Sequence, residues 1–346
     1  MRVIFTVLML MAFYTIQANA TEFVPPEIPI EAEKYFPEEQ TTFADDLWYI
    51  FKTAIADIRP DIADAAGVCF SVVAVILFVS VLNGCSSRTK KTVDLVAVVA
   101  VSTILLKPSR SLLSLGVATV TEITEYNKLL APVMTGALAA QGGVTTSTAL
   151  YMGTTVFNTV LSTFIENAVV PLLYIFITVC IADNAVGEQL LKNIKDFVKW
   201  LMTWSLKTII YVFTGYMSIT GVVSGYADAT ALKAAKLAIS GVVPVVGNII
   251  SDASDAVLSS AAVIKNSVGI HGLLAVAAIW ISPFIRVGVH YLLLKLTAAV
   301  CAVLSNNPGT VLVDNYCTLM GYVLAIISLA SLLVLISTVC FMKGVL

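Results

Sequence analysis

A few ionisable side chains interrupt the long apolar runs of this 346-residue chain, and they are the first candidates for chemistry. Glu166 lies inside the apolar run 156–182, and Arg286 precedes His290 by four residues in the run 284–304. A charged group in mid-bilayer costs about 2.5–3.5 kcal/mol, so such a side chain should face protein or water. We predict that Glu166 lines a pathway or pairs with a basic residue such as Arg286. The alternative is that both lie at a membrane interface.

A second group of candidate residues lies in the C-terminal half of the chain. The apolar run 239–250 is broken by Pro244 and Gly247, and the amphipathic stretch after it carries Asp252 and Asp255 on its polar face. As a helix this run would cover about 18 Å, short of the roughly 30 Å hydrocarbon core. Because freed backbone groups cannot face lipid, we predict a membrane-embedded hairpin with both aspartates towards water. It would be a pathway or a partner-docking surface; a plain solvated face is the alternative.

The motifs that would indicate an enzyme are absent from the sequence. There is no GxxxxGK[ST] loop, no HExxH and no GxSxG. The two histidines, His271 and His290, are too far apart in sequence to form a local motif. The six cysteines are scattered without zinc-ligand spacing, which is typical of buried small hydrophobic residues. We therefore predict no catalytic residue, no metal and no cofactor.

The composition predicts an integral membrane protein in contact with the lipid bilayer. The chain is 58% hydrophobic and 12% charged, whereas soluble domains carry about 25% charged residues. A soluble fold of this composition would have too few polar residues to cover its surface. The net charge is −2 and no basic stripe occurs, so we predict no nucleic-acid partner.

The N-terminal part predicts export across a membrane. Residues 1–20 have the features of a signal peptide, because Arg2 precedes an apolar run too short for a span and residues 18–20 (Ala-Asn-Ala) supply a cleavage pattern. An uncleaved anchor is the alternative. Residues 21–64 should form an extracytoplasmic segment that is acidic and loosely ordered over 21–46. It includes an amphipathic helix on the outer membrane surface over 43–58, which Pro60 should end.

Residues 65–346 are predicted to form a polytopic membrane domain. Apolar runs predict spans at 67–82, 93–106, 156–182, 201–223, 268–281 and 317–341, with 284–304 as a possible seventh. The basic loop 86–92 should be cytoplasmic. The less apolar segment 109–130 is predicted to be an external amphipathic helix. The fold class is therefore all-α: a polytopic transmembrane helix bundle with 6–7 spans, broken re-entrant or interfacial helices and a cleaved N-terminal signal peptide.

A family resemblance rests on residues 233–273. This stretch has a lysine pair, PVVG, two aspartates and then IKN, which contains Lys265 and Asn266, followed by VGI. The pattern resembles the stage III sporulation protein AE family, and it marks Lys265 and Asn266 as further candidate pathway or interaction residues. The stretches 129–148 and 283–299 are also similar to that family, so the resemblance covers most of the chain.

The resemblance implies a role in endospore formation. Members of that family are expected in the mother-cell-derived membrane around the forespore. They are expected to act in a channel or secretion-like complex with other stage III sporulation A proteins, including a cytoplasmic ATPase, and with a SpoIIQ-type forespore protein. The alternatives are a stand-alone secondary transporter or permease, or a passive membrane scaffold. Paired prolines 39 residues apart, Pro132 with Pro171 and Pro244 with Pro283, suggest the transporter, and chance spacing is the alternative.

Overall fold

The described part of the chain is helical throughout its regular elements. The computed structural model describes residues 26–37, 42–85, 90–186, 191–242, 247–305 and 307–343, and within these ranges it describes side chains except at 85, 221–261 and 264. No strand occurs in these ranges. The all-α prediction is therefore confirmed, while the predicted signal peptide at 1–20 lies outside the described residues.

The helices differ widely in length. In chain order they are α1 (Ile30–Glu33), α2 (Phe43–Asp57), α3 (Arg59–Cys85), α4 (Lys90–Ala140), α5 (Val144–Phe164), α6 (Val170–Val186), α7 (Lys192–Val242), α8 (Gly247–Leu304) and α9 (Pro308–Lys343). A five-residue π-helical segment, Ile165–Val169, joins α5 to α6.

Helix α2 confirms the predicted helix before Pro60. Its N-cap Thr42 accepts a hydrogen bond from the backbone N–H of Asp45 at 3.3 Å, which satisfies one of the unpaired amides of the first turn. The helix ends at Asp57, and α3 begins two residues later with Pro60 in its first turn, where a proline is tolerated. Its apolar face packs against α8. Its location on the outer membrane surface stays a prediction.

Five helical stretches in the described part are long and apolar enough to cross a membrane. They are Arg59–Gly84, Lys90–Ala140, Val144–Val186, Lys265–Leu304 and Pro308–Lys343. The predicted runs 268–281 and 284–304 belong to the fourth of these, because α8 continues through Pro283. Two runs that the sequence separates at a proline therefore lie in one helix, and the predicted total of six or seven spans stays a prediction.

Helix α4 is too long for one perpendicular crossing. Its 51 residues contain Pro108 and Pro132, and they rise about 75 Å at 1.5 Å per residue. A bilayer with its headgroups is about 40–45 Å thick. The helix therefore extends beyond one bilayer or is strongly tilted in it.

The predicted external helix over 109–130 is wrong as a separate surface element. The segment forms the middle of α4, and its apolar face, with Leu113, Val120 and Ile123, is buried. That face packs against α8 and α9 instead of against lipid headgroups. The periodicity of the segment was read correctly, but its partner is the helix bundle.

Close glycine contacts fix the directions of the central helices. A side chain at Gly116 of α4 would collide with Val323 of α9, and Gly309 at the start of α9 lies against Ala97 of α4. The contact partners follow the same order along both helices, Ala97 before Gly116 in α4 and Gly309 before Val323 in α9. The helices α4 and α9 are therefore parallel. Small residues let membrane helices approach closely, and these two glycines have that role.

Helix α8 runs antiparallel to α4. Gly269 and Gly272 of α8 lie against Met134 and Leu130 of α4, in that order, so residue numbers rise along one helix as they fall along the other. Further along α8, Arg286 lies beside Asp61 at the start of α3. The end of α8 returns to α3, where Ser80 donates a hydrogen bond to the carbonyl of Leu304 at 3.2 Å. Helix α9 starts at Pro308 with Asn307 as its cap, and Asn307 Oδ1 accepts a hydrogen bond from Thr310 N–H at 2.9 Å.

Candidate functional site

Arg286 is held by an aspartate from the N-terminal part of the chain. Its guanidinium Nη2 lies 2.9 Å from Asp61 Oδ2, and both side chains are about one-third exposed. The predicted pairing of Arg286 with Glu166 is therefore wrong. Sequence reasoning searched for the partner among charges inside apolar runs, whereas Asp61 lies at the first turn of α3, beside Pro60.

Glu166 lies in the π-helical segment and faces outwards. It is exposed, and its Oε1 accepts a hydrogen bond from Ser162 Oγ at 3.4 Å. Single π-helical turns within α-helices are frequently found at functional sites, because the extra residue displaces side chains from their helical register. The structure leaves Glu166 far less enclosed than Arg286.

Residues 26–37, here called the N-terminal strap, pack across α8. Ala32 and Tyr35 of the strap are buried, and the ring of Phe36 lies 4.9 Å from that of His271. The strap was predicted to be loosely ordered because its acidic composition cannot build a core. Three apolar side chains are enough to dock it, because the core belongs to α8.

Polar contacts also hold the strap. The hydroxyl of Tyr35 donates to Asp57 Oδ2 at 2.5 Å and lies 2.9 Å from Ser282 Oγ. Lys34 Nζ donates to the same oxygen of Asp57 at 2.9 Å. The strap is thereby connected to the end of α2 and to the middle of α8.

These contacts shift two ionisation equilibria outside the candidate spans. The hydrogen bond from Tyr35, followed by that from Lys34, lowers the pKa of Asp57 from its ordinary value. The pKa of Lys34 is raised by its contacts with Tyr35 and Asp57. Both groups are therefore charged throughout the neutral range.

A partly open cavity lies beneath the strap. Its volume is about 230 Å³, and residues of the strap, α4 and α8 line it. Its polar lining residues are Glu31, Lys34, Tyr35, Glu122, Ser282 and Arg286. Arg286 is the one candidate residue from the sequence that lines it; the strap and Glu122 carried no sequence motif that would have marked them.

Lys265 is buried at the opposite end of the α8 span. Its Nζ donates to Gln141 Oε1 at 2.5 Å, at the turn where Gly142 adopts a positive φ of 95° between α4 and α5. Asn266, the next residue, is exposed. Lys265 and Arg286 are separated by about 30 Å along the helix, so the predicted residues do not converge on one site.

The remaining candidates are described only in part. Gly247 is the first residue of α8, and Asp252 and Asp255 lie on the same helix with side chains outside the described set. Pro244 lies outside the described residues. Helix α7 ends before it, at Val242, and α8 begins after it, at Gly247. The predicted hairpin over 241–266 stays a prediction.

The fold and the apolar surface of the described part of the chain define a helical membrane protein with several helices able to cross the bilayer. The family model described as stage III sporulation protein AE matches residues 35–344, and the chain belongs to that family. The matched region begins at Tyr35, so it includes the end of the strap.

A characterised relative is also similar over part of its length. Stage III sporulation protein AE of Bacillus subtilis (strain 168) is 24% identical over 215 residues, which is 62% of this chain and 54% of the relative. The chain thus spans about half the length of the curated relative that it matches. No solved structure matches the chain.

Proposed function

We propose that the chain is a multi-pass membrane component of the stage III sporulation A and SpoIIQ channel or secretion-like complex. The complex links mother cell and forespore during endospore formation. The observation that carries the proposal is the family match over residues 35–344. The partners would be the other stage III sporulation A proteins, including a cytoplasmic ATPase, and a SpoIIQ-type forespore protein. The chain would reside in the mother-cell-derived membrane around the forespore, without an enzymatic role.

The proposed topology starts with cleavage of the signal peptide at 1–20. Residues 21–64, which include the strap, then lie outside the cytoplasm, and 65–346 form the membrane domain. The loop 86–92 is cytoplasmic in this arrangement. In this arrangement the ion pair between Asp61 and Arg286 lies on the extracytoplasmic side, at the start of α3.

Helix directions favour six crossings over seven. Helix α7 runs antiparallel to α5 and α6, since Lys195 contacts Asp183 at 3.2 Å and Tyr216 contacts the carbonyl of Ala149 at 2.9 Å. Helix α7 would add a sixth crossing to the five helical stretches that are long and apolar enough to cross a membrane. The C-terminal end of α9 would then lie outside the cytoplasm. When the chain is expressed in the cytoplasmic membrane of vegetative cells, a cysteine replacing Lys343 should react with a membrane-impermeant thiol reagent added to the intact cells, and protection would indicate seven crossings.

Affinity purification from sporulating cells tests the proposed complex. The tagged chain, crosslinked before extraction, should bring down the ATPase and the SpoIIQ-type protein, and an equally abundant tagged permease should not. Transport by the purified chain alone in liposomes, together with no captured partner, would favour the permease. Capture of the complex with normal sporulation after loss of this chain would favour the passive scaffold.

A further inference from the structure

An apolar groove lies between α4 and α6, on the side of the bundle away from the strap. Its volume is about 370 Å³; Leu106 and Arg110 of α4 form one side, and residues of α6 from Tyr174 to Ala182 form the other. Leu106 and Tyr174 are exposed, so the groove is open to the surroundings of the protein. The stretch from Tyr174 to Ala182 rises about 12 Å, which is close to half of the roughly 30 Å hydrocarbon core.

The positive charge at this groove is not neutralised by the chain. Arg110 is the charged residue among those that line it, and its guanidinium lies 6.0 Å from the centre of the Tyr174 ring. Within the described ranges, neither Arg110 nor Lys107, one turn earlier on α4, forms an ion pair with a carboxylate. Both are exposed. The charge complement of the groove is therefore an anion.

The position of Arg110 along α4 fits a lipid headgroup. Arg110 follows Lys90, the first residue of α4, by 20 residues, which is a rise of about 30 Å. That rise equals the thickness of the hydrocarbon core. When the loop before α4 lies at one membrane interface, Arg110 and Lys107 therefore lie near the other, where the phosphates of the lipids are.

A buried hydroxyl at the inner end of the groove supplies an independent sign of a missing ligand. Arg110 and Tyr174 also line a smaller pocket of about 20 Å³, which reaches Tyr316 of α9. Tyr316 is fully buried, and its hydroxyl has no hydrogen-bond partner within the described ranges. Burying an unpaired hydroxyl is unfavourable, so an acceptor oxygen bound beside Arg110 would stabilise this arrangement.

The lining favours a lipid over a helix of a partner protein. Interfaces between membrane helices are rich in small residues, which let two backbones approach. The groove instead carries large side chains at Leu106, Tyr174 and Ile181, and a hydrocarbon chain can lie between these. Its volume is in the range of small-ligand sites, about 300–1,000 Å³. Basic pockets between membrane helices are also known to bind anionic lipid headgroups.

We propose that the groove between α4 and α6 binds one anionic phospholipid. The phosphate contacts Arg110 and Lys107, and one acyl chain lies along α6 towards Ala182. An oxygen of the headgroup or of an ester accepts a hydrogen bond from Tyr316. The lipid thereby fills a gap between α4, α6 and α9.

Native mass spectrometry of the purified full-length protein tests the proposal, with phosphatidylglycerol and phosphatidylcholine titrated separately in detergent. The unmodified protein should retain one phosphatidylglycerol molecule, with an affinity about tenfold or more above that for phosphatidylcholine. Arg110→Gln should weaken retention of phosphatidylglycerol about fivefold, because one basic residue at the headgroup is lost. Lys91→Gln is the matched control, since Lys91 is exposed on the same helix but far from the groove. Its affinity should equal that of the unmodified protein.

Two further variants test the acyl chain and the hydroxyl. Thr178 lines the groove and is exposed, so Thr178→Phe should fill the groove without disturbing the core and should weaken retention about tenfold. Tyr316→Phe should weaken it about threefold, because a hydrogen bond to the lipid is lost. If Arg110→Gln does not yield folded protein, Lys107→Gln removes the neighbouring charge, with an expected loss of about fivefold.

Several results would overturn the proposal. Equal affinity for the two lipids would show an ordinary surface lipid, and unchanged affinity of Arg110→Gln, Thr178→Phe or Tyr316→Phe would remove the site. Displacement of the lipid by inorganic phosphate at equal concentration would assign Arg110 to free phosphate. A photoreactive benzoylphenylalanine at Ala182, irradiated in sporulating cells, should form no adduct with a protein; such an adduct would assign the groove to a partner helix.

Discussion

Arg286 and Glu166 are both charged residues within apolar helical runs, yet their surroundings differ. Arg286 is paired with Asp61 and lines a cavity beneath the N-terminal strap. Glu166 is exposed in the π-helical segment and contacts Ser162 at 3.4 Å. One charge is therefore integrated into the tertiary structure, and the other points away from it.

The difference shows that a charge in an apolar run can be explained by a segment that is remote in sequence. Arg286 is compensated by an acid from the N-terminal region, so its position is accounted for without a pathway. No comparable partner encloses Glu166 within the described ranges. Glu166 therefore remains the stronger candidate for an interaction outside this chain, such as a partner helix.

The largest expected effect tests whether the surroundings of Arg286 depend on the strap. Tyr35→Ala should lower the free energy of unfolding by about 3 kcal/mol, because it removes a buried aromatic side chain and its contacts with Asp57 and Ser282. Thermal unfolding in detergent and limited proteolysis of the strap measure it. Tyr35→Phe keeps the ring and should cost only about 1 kcal/mol. Equal losses for both variants would show that the ring does not dock the strap.

A smaller effect is expected at the ion pair itself. Asp61→Asn leaves the Arg286 charge partly buried and unpaired, and we expect a loss of about 2 kcal/mol in unfolding free energy. Asp64→Asn, one turn further along α3 and exposed, should change it by less than about 0.5 kcal/mol. Thermal unfolding of both variants under the same detergent conditions gives the comparison.

A double-mutant cycle separates this pairing from general effects of charge. Asp61→Asn combined with Arg286→Gln should destabilise the protein by clearly less than the sum of the two single changes, since the pair is removed as a unit. Additive losses would show that Asp61 and Arg286 do not interact, and would remove the contrast with Glu166.

Replacing Glu166 should have a small effect on stability but a clear effect on function. Glu166→Gln should change the unfolding free energy by less than about 0.5 kcal/mol, because the side chain is exposed. If the residue contacts a partner, sporulation frequency should nevertheless fall, with Asn167→Asp as the neighbouring control. Normal sporulation would show that Glu166 is neither a pathway nor an interaction residue.

The sequence predicted the helical fold well because apolar periodicity is a local property. The end of α2 before Pro60 followed from a local signal of the same kind. The continuity of α8 through Pro283 could not be predicted in this way, because a proline in a sequence usually signals a helix boundary. In the structure, α8 continues through the proline while it packs against α3, α4 and α9.

The candidate site was much less predictable. Arg286 was found because a charge in an apolar run is conspicuous, but its cavity is built from three elements that are distant in sequence. Glu31 is one of many acids in an acidic segment, and Glu122 was assigned to an external helix. Such convergence is a tertiary property, and neither spacing nor composition encodes it.

A modest effect of pH is also expected, and it again distinguishes the strap from Glu166. The pKa of Asp57 is lowered in the folded protein, so its contribution to stability is complete above its ordinary value of 3.8 and is lost as the pH falls through the folded value. The pKa of Lys34 is raised, so its contribution is complete below 10.5 and is lost as the pH rises through the folded value. The strap should stay docked across the neutral range.

Because Lys34 and Asp57 are substantially exposed, with side-chain accessibilities of 56% and 39%, each arm of this profile should amount to about 1 kcal/mol or less. Proteolysis of the strap measured between pH 3 and 7 should therefore accelerate modestly on acidification. Asp57→Asn should be cleaved faster at pH 7 and should lose the acid dependence, whereas Glu166→Gln should keep the unmodified profile. An acid dependence that survives in Asp57→Asn would mean that another carboxyl holds the strap, and Glu31 would be the next to replace, since it lies on the strap and beside Glu122.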